Sequence, residues 1–555
     1  MSGRPSVTIQ ETSIAGAVAI TPSNSVTAYV IESEIGEAFK VYTINSEQDL
    51  VDTFGAPTTS NVIDFNTAKN FLFYGSNMLI VRAVNEATAK LARIGSADFN
   101  TFNTTSMSTY FRDYNSHTFA PSNKIEFFAK SPFDTTTTNI ITVAMYKPAS
   151  AGEDWASVAD TIDGQTTGTL FNDLFEFGPD YSNDEVALVV LVNDEVKETW
   201  IVSTTSGKKN TQNENIYITD YLSANSAYIN GFANTTYSSV NTFYTTDLLD
   251  GSKGTTPTTG DFETAYSYFM NKNDVTFDYI FDGVHTANRN YIMSIADARM
   301  DCVAFIGVPN TVLFTNTTGI SYVPKTDLDS VTSAVIADRT GLPSSSWACY
   351  YNNWKEVYDK YLDKNIWIPC SSDAVGNKVA VTTNGAAWTP AAGTINGQIR
   401  NILRLAFNPT SEQQDLMYKN GINNIIRKAG KGFIIDGQRT MINRYVGVSR
   451  LNIRDLFRVV ERDIATIAED YLHDVNDEVT RARFTAACNA ILTNIQTQRG
   501  LKRFQVICDE TNNTDAVINA YGFNATVKIE GYRTIENITI KFFDVPAGVA
   551  FEEVA

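Results

Sequence analysis

Through its first third the chain alternates short apolar runs with amphipathic stretches. Residues 26–31 and 41–44 read as strands, and residues 79–84, Leu-Ile-Val-Arg-Ala-Val, as a buried one. Between them Ser46 is a fitting N-cap, with the acid Asp49 three residues on. Leu50, Val51 and Phe54 follow, and Gly55-Ala56-Pro57 stops that short helix. Residues 65–74 carry a second helix, ended by Gly75. Residues 247–309 resume the alternation: helix over 261–271, strand over 277–281, helix over 287–299, strand over 302–308. That is the pattern of parallel βαβ units.

Residues from 95 to about 245 differ. Thr, Ser and Asn become dense, and β-like runs at 125–128, 140–145, 186–192 and 200–203 predict a β-rich subdomain. Residues 346–398 read as aromatic and loop-rich, with Trp347, Tyr350, Trp354, Tyr358 and Trp367. Beyond residue 400, Leu451, Phe457, Val460, Ile464, Ile467 and Tyr471 recur at helical spacing. The next helix opens at Asn476, with Asp477 and Glu478 where the helix dipole favours acids. Ala487, Ile491 and Ile495 mark its apolar face, and Gly500 ends it. Strands follow at 504–508, 525–530 and 535–543. Both chain ends read as extended arms. Val7 and Ile9 alternate with Thr8 and Gln10, and such an arm pairs with its own domain or with another chain.

The chain has 555 residues, 43% hydrophobic and 19% charged, which excludes a disordered or fibrous chain. The fold class expected is multi-domain α+β. Its divisions are an arm at 1–20, an outer mixed α/β region at 21–345 holding the β-rich subdomain, an inner domain at 346–543 and an arm at 544–555. No apolar run approaches the roughly 20 residues of a membrane helix, and the first residues lack an apolar targeting segment. Neither membrane insertion nor secretion is expected. The five cysteines are odd in number and lack Cys-x-x-Cys spacing, which predicts reduced thiols in place of disulfides or zinc.

The formal net charge is −19, a poor match for a nucleic-acid partner. It is unevenly spread. Residues 400–555 hold 20 basic and 19 acidic side chains, so the excess acid sits in the first 399. Residues 400–462 alone hold 12 basic and 5 acidic side chains.

Enzyme motifs fail on inspection. His117, His285 and His473 lie far apart, without partners at ligand spacing. Gly251-Ser252-Lys253-Gly254 and Gly430-Lys431-Gly432 have the wrong order for a phosphate loop and read as turns. Acidic pairs such as Asp184/Glu185 and Glu469/Asp470 read as solvated surface. The basic stripe is more informative: Arg450, Arg454, Arg458 and Arg462 recur every four residues on one helical face. It reads either as an ordinary solvated face or as a docking surface for an acidic partner, and Asp455, Glu461 and Asp463 stand close enough to neutralise part of it.

In order along the chain stand Arg4-Pro5-Ser6-Val7-Thr8-Ile9-Gln10-Glu11, Asp49-Leu50-Val51-Asp52-Thr53-Phe54-Gly55 and Val81-Arg82-Ala83-Val84. Later come Tyr418-Lys419-Asn420-Gly421-Ile422-Asn423, Gly437-Gln438-Arg439-Thr440, Arg450-Leu451-Asn452-Ile453-Arg454 and Cys508-Asp509-Glu510-Thr511-Asn512-Asn513-Thr514. In this succession the chain resembles contractile phage tail sheath proteins. The resemblance implies a structural subunit of a virion tail, assembled in the host cytoplasm, without catalysis, cofactor or metal. It implies stacked hexameric rings around a tail tube, contraction, and contacts with baseplate and tail terminator proteins. The arms are then expected to add strands to neighbouring subunits, through Val7, Ile9, Val545, Val549 and Phe551. The resemblance also implies a tube whose outer wall is acidic, which makes basic inner residues the tube-docking candidates. Arg499, Lys502 and Arg503 come first, ahead of the stripe Arg450, Arg454, Arg458 and Arg462. Two other readings stay open: a sheath from a related injection machine or tailocin, and a glycan-active or glycan-binding surface protein built on the Thr/Ser/Asn-rich region.

Overall fold

The computed structural model describes residues 25–94, 125–135, 140–148, 171–233, 242–249, 251–317, 319–444 and 446–536. The expected arms, with Val7, Ile9, Val545, Val549 and Phe551, lie outside these residues, as does most of the strand expected at 535–543.

A seven-stranded sheet organises the first core. Its order is Ile422–Asn423, Ala348–Tyr351, Val303–Gly307, Tyr279–Phe281, Thr27–Glu32, Met78–Ala83 and Val41–Ile44. All neighbours are parallel except Val41–Ile44, which returns antiparallel on Met78–Ala83. Strands covered on both faces need near-continuous apolar residues. Thr27–Glu32 (TAYVIE) and Val303–Gly307 (VAFIG) supply them. Helices Val62–Leu72, Thr259–Ser267, Arg289–Arg299 and Ser371–Asn384 pack on these strands. The short helix is Glu47–Phe54, and the Ser46 side chain accepts from the Asp49 amide as its sequence predicts.

A second, wholly antiparallel sheet is inserted after Met78–Ala83. Its order is Glu195–Ser203, Glu185–Val192, Ile141–Lys147, Thr242–Leu249, Leu91–Ile94, Ile125–Pro132 and Ile229–Ala233. Phe127, Val143, Leu188, Val190 and Leu248 give it a core of its own.

Residues 346–398 depart from the loop-rich expectation. Trp354–Asp359 and Lys364–Pro369 form an antiparallel hairpin, completed by Arg404–Leu405. Trp354 and Trp367 are buried there, because aromatic side chains fit a half-buried pleated surface. Ala348–Tyr351 and Ile422–Asn423 also extend the first sheet. A division at 345/346 therefore cuts a continuous core, in which Trp347 and Tyr350 pack in one cluster with Val303 and Phe305.

A separate core begins only with the Leu451–Glu469 helix. That helix, the Glu478–Thr497 helix and the Leu501–Ile507/Thr526–Gly531 hairpin enclose Leu456, Val460, Leu492, Ile495 and Leu501. Asp477 caps the second helix by accepting from the Thr480 amide. All five cysteines are free and buried. Among the described residues no helix is long and apolar enough to cross a membrane.

Candidate functional site

The Leu451–Glu469 helix is amphipathic in sequence, yet its first half is buried on nearly every side. From Leu451 to Val460 every residue but Phe457 is buried, since this half of the helix lies between the two cores. The arginine stripe points into that joint. Arg458 is 1% exposed and pairs with Asp278, at the entrance to the Tyr279–Phe281 strand, and with Asp455 at 3.1 Å. Arg462 reaches the same Asp278 oxygen at 2.8 Å. Burial alone would push the Asp278 carboxyl up, but the two guanidiniums outweigh it and hold it below its ordinary value. Lys378, from the Ser371–Asn384 helix, pairs with Asp455 at 2.8 Å, with both side chains fully buried. Arg454 lies over the Trp347 ring at 3.7 Å and pairs with Glu461 at 2.8 Å; burial lowers its pKa.

These positions correct the exposed-face reading for Arg454 and Arg458. The four-residue spacing does put them on one face, but that face meets Asp278, Tyr279 and Trp347 instead of a partner. Arg462 is half-buried on Asp278, and Arg450 pairs with Glu536 at 2.6 Å. The sequence pattern missed Asp278, Lys378 and Trp347, because nothing local to them marks contacts made across more than seventy residues.

The second group of candidates is exposed. The Glu478–Thr497 helix ends where Arg499 takes a left-handed φ of +62° and turns the chain into the hairpin. Arg499 is exposed and has no ion pair among the described residues. Lys502 and Arg503 both lean on Glu530, Lys502 at 3.3 Å, and both stay exposed. Three cations against one carboxylate leave this corner net positive. The two strands beside it pair only with each other among the described residues, so both outer edges of the hairpin present unpaired backbone groups.

Of the residues weighed for chemistry, His117 lies outside the described residues, and His285, Lys253, Gly430 and Gly432 stand in packing or turn positions. His285 is buried, with Nε2 3.0 Å from the Val30 carbonyl and 3.4 Å from Asp64. Lys253 pairs with Glu34 at 2.7 Å in a turn. Gly430 and Gly432, at φ +70° and +84°, shape the turn between Ile425–Lys428 and Gly432–Ile435.

Residues 448–543 match the family described as the phage tail sheath C-terminal domain, which opens where the second core opens. The tail sheath protein of Vibrio phage KVP40 is 30% identical over 437 residues, covering 76% of this chain. The chain spans 65% of the length of that relative. The tail sheath protein of Enterobacteria phage T4 is 26% identical, with 99% of this chain and 98% of that protein covered. Among solved structures, a sheath tail protein from Listeria innocua shares the fold, with a TM-score of 0.52 at 11% identity over 88% of this chain and 89% of that one. Residues 448–543 belong to the phage tail sheath C-terminal domain family, and the chain as a whole is similar to tail sheath proteins.

Proposed function

We propose that this chain is the repeating subunit of a contractile tail sheath. Copies stack as hexameric rings in a helix around a tail tube, between a baseplate and a tail terminator, and their rearrangement drives the tube through a host envelope. Assembly takes place in the host cytoplasm, and the work is mechanical, with no catalytic step. The observation that carries the reading is the C-terminal domain itself: a match to the sheath family that combines open hairpin edges with a cationic corner. The open edges suit strand addition by a neighbour's terminal arms, residues 1–20 and 544–555. The corner suits an acidic tube wall. Exposed ion pairs contribute only about 0–1 kcal/mol each, and repetition around a ring and along a tail makes the sum large. A sheath must hold its tube and later release it, and many weak contacts do both.

The test is charge reversal of the corner. Arg499→Glu, Lys502→Glu and Arg503→Glu together should abolish coating of purified tubes at about 0.15 M salt, while tube-free polymers still form. Coating at parental efficiency would remove this corner as the tube-facing surface. Deleting residues 1–18 should leave a folded subunit that does not polymerise, and normal polymers from the truncated chain would refute strand donation.

A further inference from the structure

The two ends of the C-terminal helix pair differ in chemistry. Leu456 and Val460 pack on Leu492 and Ile495, whereas Tyr471 packs on Phe484, so the helices run antiparallel and share a tip at 470–478. At that tip Leu472, Val475 and Val479 are 68%, 70% and 64% exposed. Tyr521 is fully exposed beside them, because Asn476 Nδ2 donates to the Gly522 carbonyl at 2.8 Å. Among the described residues, these four large apolar side chains on one tip stay uncovered by their own subunit. Around them Glu469, Asp470, Asp474, Glu478, Asp509 and Glu510 are all exposed. Arg483, which pairs with Asp474 at 3.7 Å, is the exposed cation among them.

The opposite end is cationic. The Ile425–Lys428/Gly432–Ile435 hairpin exposes Arg427, Lys428 and Lys431, and none of the three has an ion pair among the described residues. Ile395, 87% exposed, stands next to it, since Gln398 donates to the Lys431 carbonyl at 3.2 Å and the Ile435 amide to Gly397 at 2.8 Å. The chain then runs on to Gln438, whose carbonyl accepts from the Leu451 amide at 2.8 Å. Gln438, three residues past the cationic hairpin, therefore lies at the start of a 19-residue helix, about 28 Å long, whose far end is the acidic tip.

We propose that the apolar, acid-rimmed tip of one copy, residues 470–479 with Tyr521, seats on the cationic hairpin and Ile395 of a second copy of this chain. Charge complementarity selects this occupant: of the carboxylates that ring the tip, Asp474 alone has an ion pair among the described residues, and the hairpin is a cationic projection without ion pairs among them at the opposite end. Leu472, Val475 and Tyr521 bury against Ile395 at the centre, and the charges form a rim that fixes register. The two patches cannot meet within one copy. Each contact is head-to-tail, leaves a free patch at both ends and propagates. The inference rests on the sheath reading, and it leaves the Arg499 corner free for the tube.

Two full-length chains test it. One carries Arg427→Glu, Lys428→Glu and Lys431→Glu; the other carries Glu469→Lys, Asp470→Lys and Asp474→Lys. All six sites are exposed, and thermal melts should stay at the parental midpoint. Each chain alone should need about tenfold more protein to polymerise, because like charges then face each other. Mixed one to one, the two should copolymerise near the parental concentration, since every contact again pairs opposite charges. In a third chain, Val475→Cys with Ile395→Cys should give a ladder of disulfide-linked multimers in polymers. Parental polymerisation by either reversed chain, a mixture that fails to polymerise, or polymers without the ladder would overturn the contact. A parental chain that stays monomeric at every concentration would overturn the sheath reading itself, and this contact with it.

Discussion

Arg458 and Asp278 join the two cores across 180 residues of sequence. Asp278 also receives Arg462 at 2.8 Å and the Val26 amide at 3.1 Å, so one carboxylate holds the C-terminal helix, the Tyr279–Phe281 strand and the start of the first strand together. Removing one member of a buried ionic set strands the other charges, at about 3–5 kcal/mol. Asp278→Ala should cost that much in urea unfolding. Calorimetry should then resolve the C-terminal domain as a separate, earlier transition. An unchanged urea midpoint would refute the role given to this pair.

That joint marks the limit of what the sequence discloses. The βαβ alternation of the first core is legible because buried parallel strands such as Thr27–Glu32 read as unbroken apolar runs. The Ser46 cap is legible because a cap is local chemistry, whereas Asp477, expected inside the first turn of a helix opening at Asn476, is itself the N-cap of a helix that starts at Glu478. The Leu451–Glu469 helix is legible as a helix and illegible as a surface. Its arginines share a face, and spacing cannot tell solvent from Asp278 and Trp347, which lie more than a hundred residues away. Trp354 and Trp367 failed for a related reason: short aromatic strands without clean alternation look like loops until a partner strand is known.

Gly500 closes the turn between the Glu478–Thr497 helix and the hairpin. A Cβ there would lie 2.7 Å from Ile495 Cγ2 and 2.8 Å from the Trp388 ring, both part of the packed core. Gly500→Ala should destabilise by about 1–3 kcal/mol, the range for overpacking. It should also shift Trp388 fluorescence, because the indole must move. Parental stability and an unmoved emission maximum would show that the turn has slack.

Glu530 partly neutralises the cationic corner by holding Lys502 and Arg503. The pairs are exposed, so Glu530→Gln should leave the thermal midpoint at the parental value. The same change frees two cations. Coating of tubes should then persist to higher salt than with the parent. Equal or lower salt resistance would count against a tube contact at this corner.

A buried acid-rich cluster sits at the carboxyl ends of the first sheet's strands. Asp282 is fully buried, accepts from the Gly307 amide at 2.9 Å, and burial pushes its pKa up to about 6. Burial, reinforced by Asp64, pushes Glu32 up to about 7. For both, the folded chain binds a proton that the unfolded chain has already released, so stability falls as pH rises from about 4 to 7. His285 adds the same sign. Burial opposes its charge, but Asp64 outweighs burial and raises its pKa, and the stability it brings is lost as pH climbs past that raised value. Asp278 runs the other way: its pKa is depressed, so its contribution is present at neutral pH and lost only on strong acidification. The thermal midpoint should therefore be higher at pH 5 than at pH 8 and collapse below about pH 4. Asp282→Asn keeps an acceptor for Gly307 and removes the charge. It should flatten the curve between pH 4 and 6 and raise stability at pH 8 by up to about 3 kcal/mol. A variant that follows the parental curve, with no gain at pH 8, would show that Asp282 is not the group that titrates.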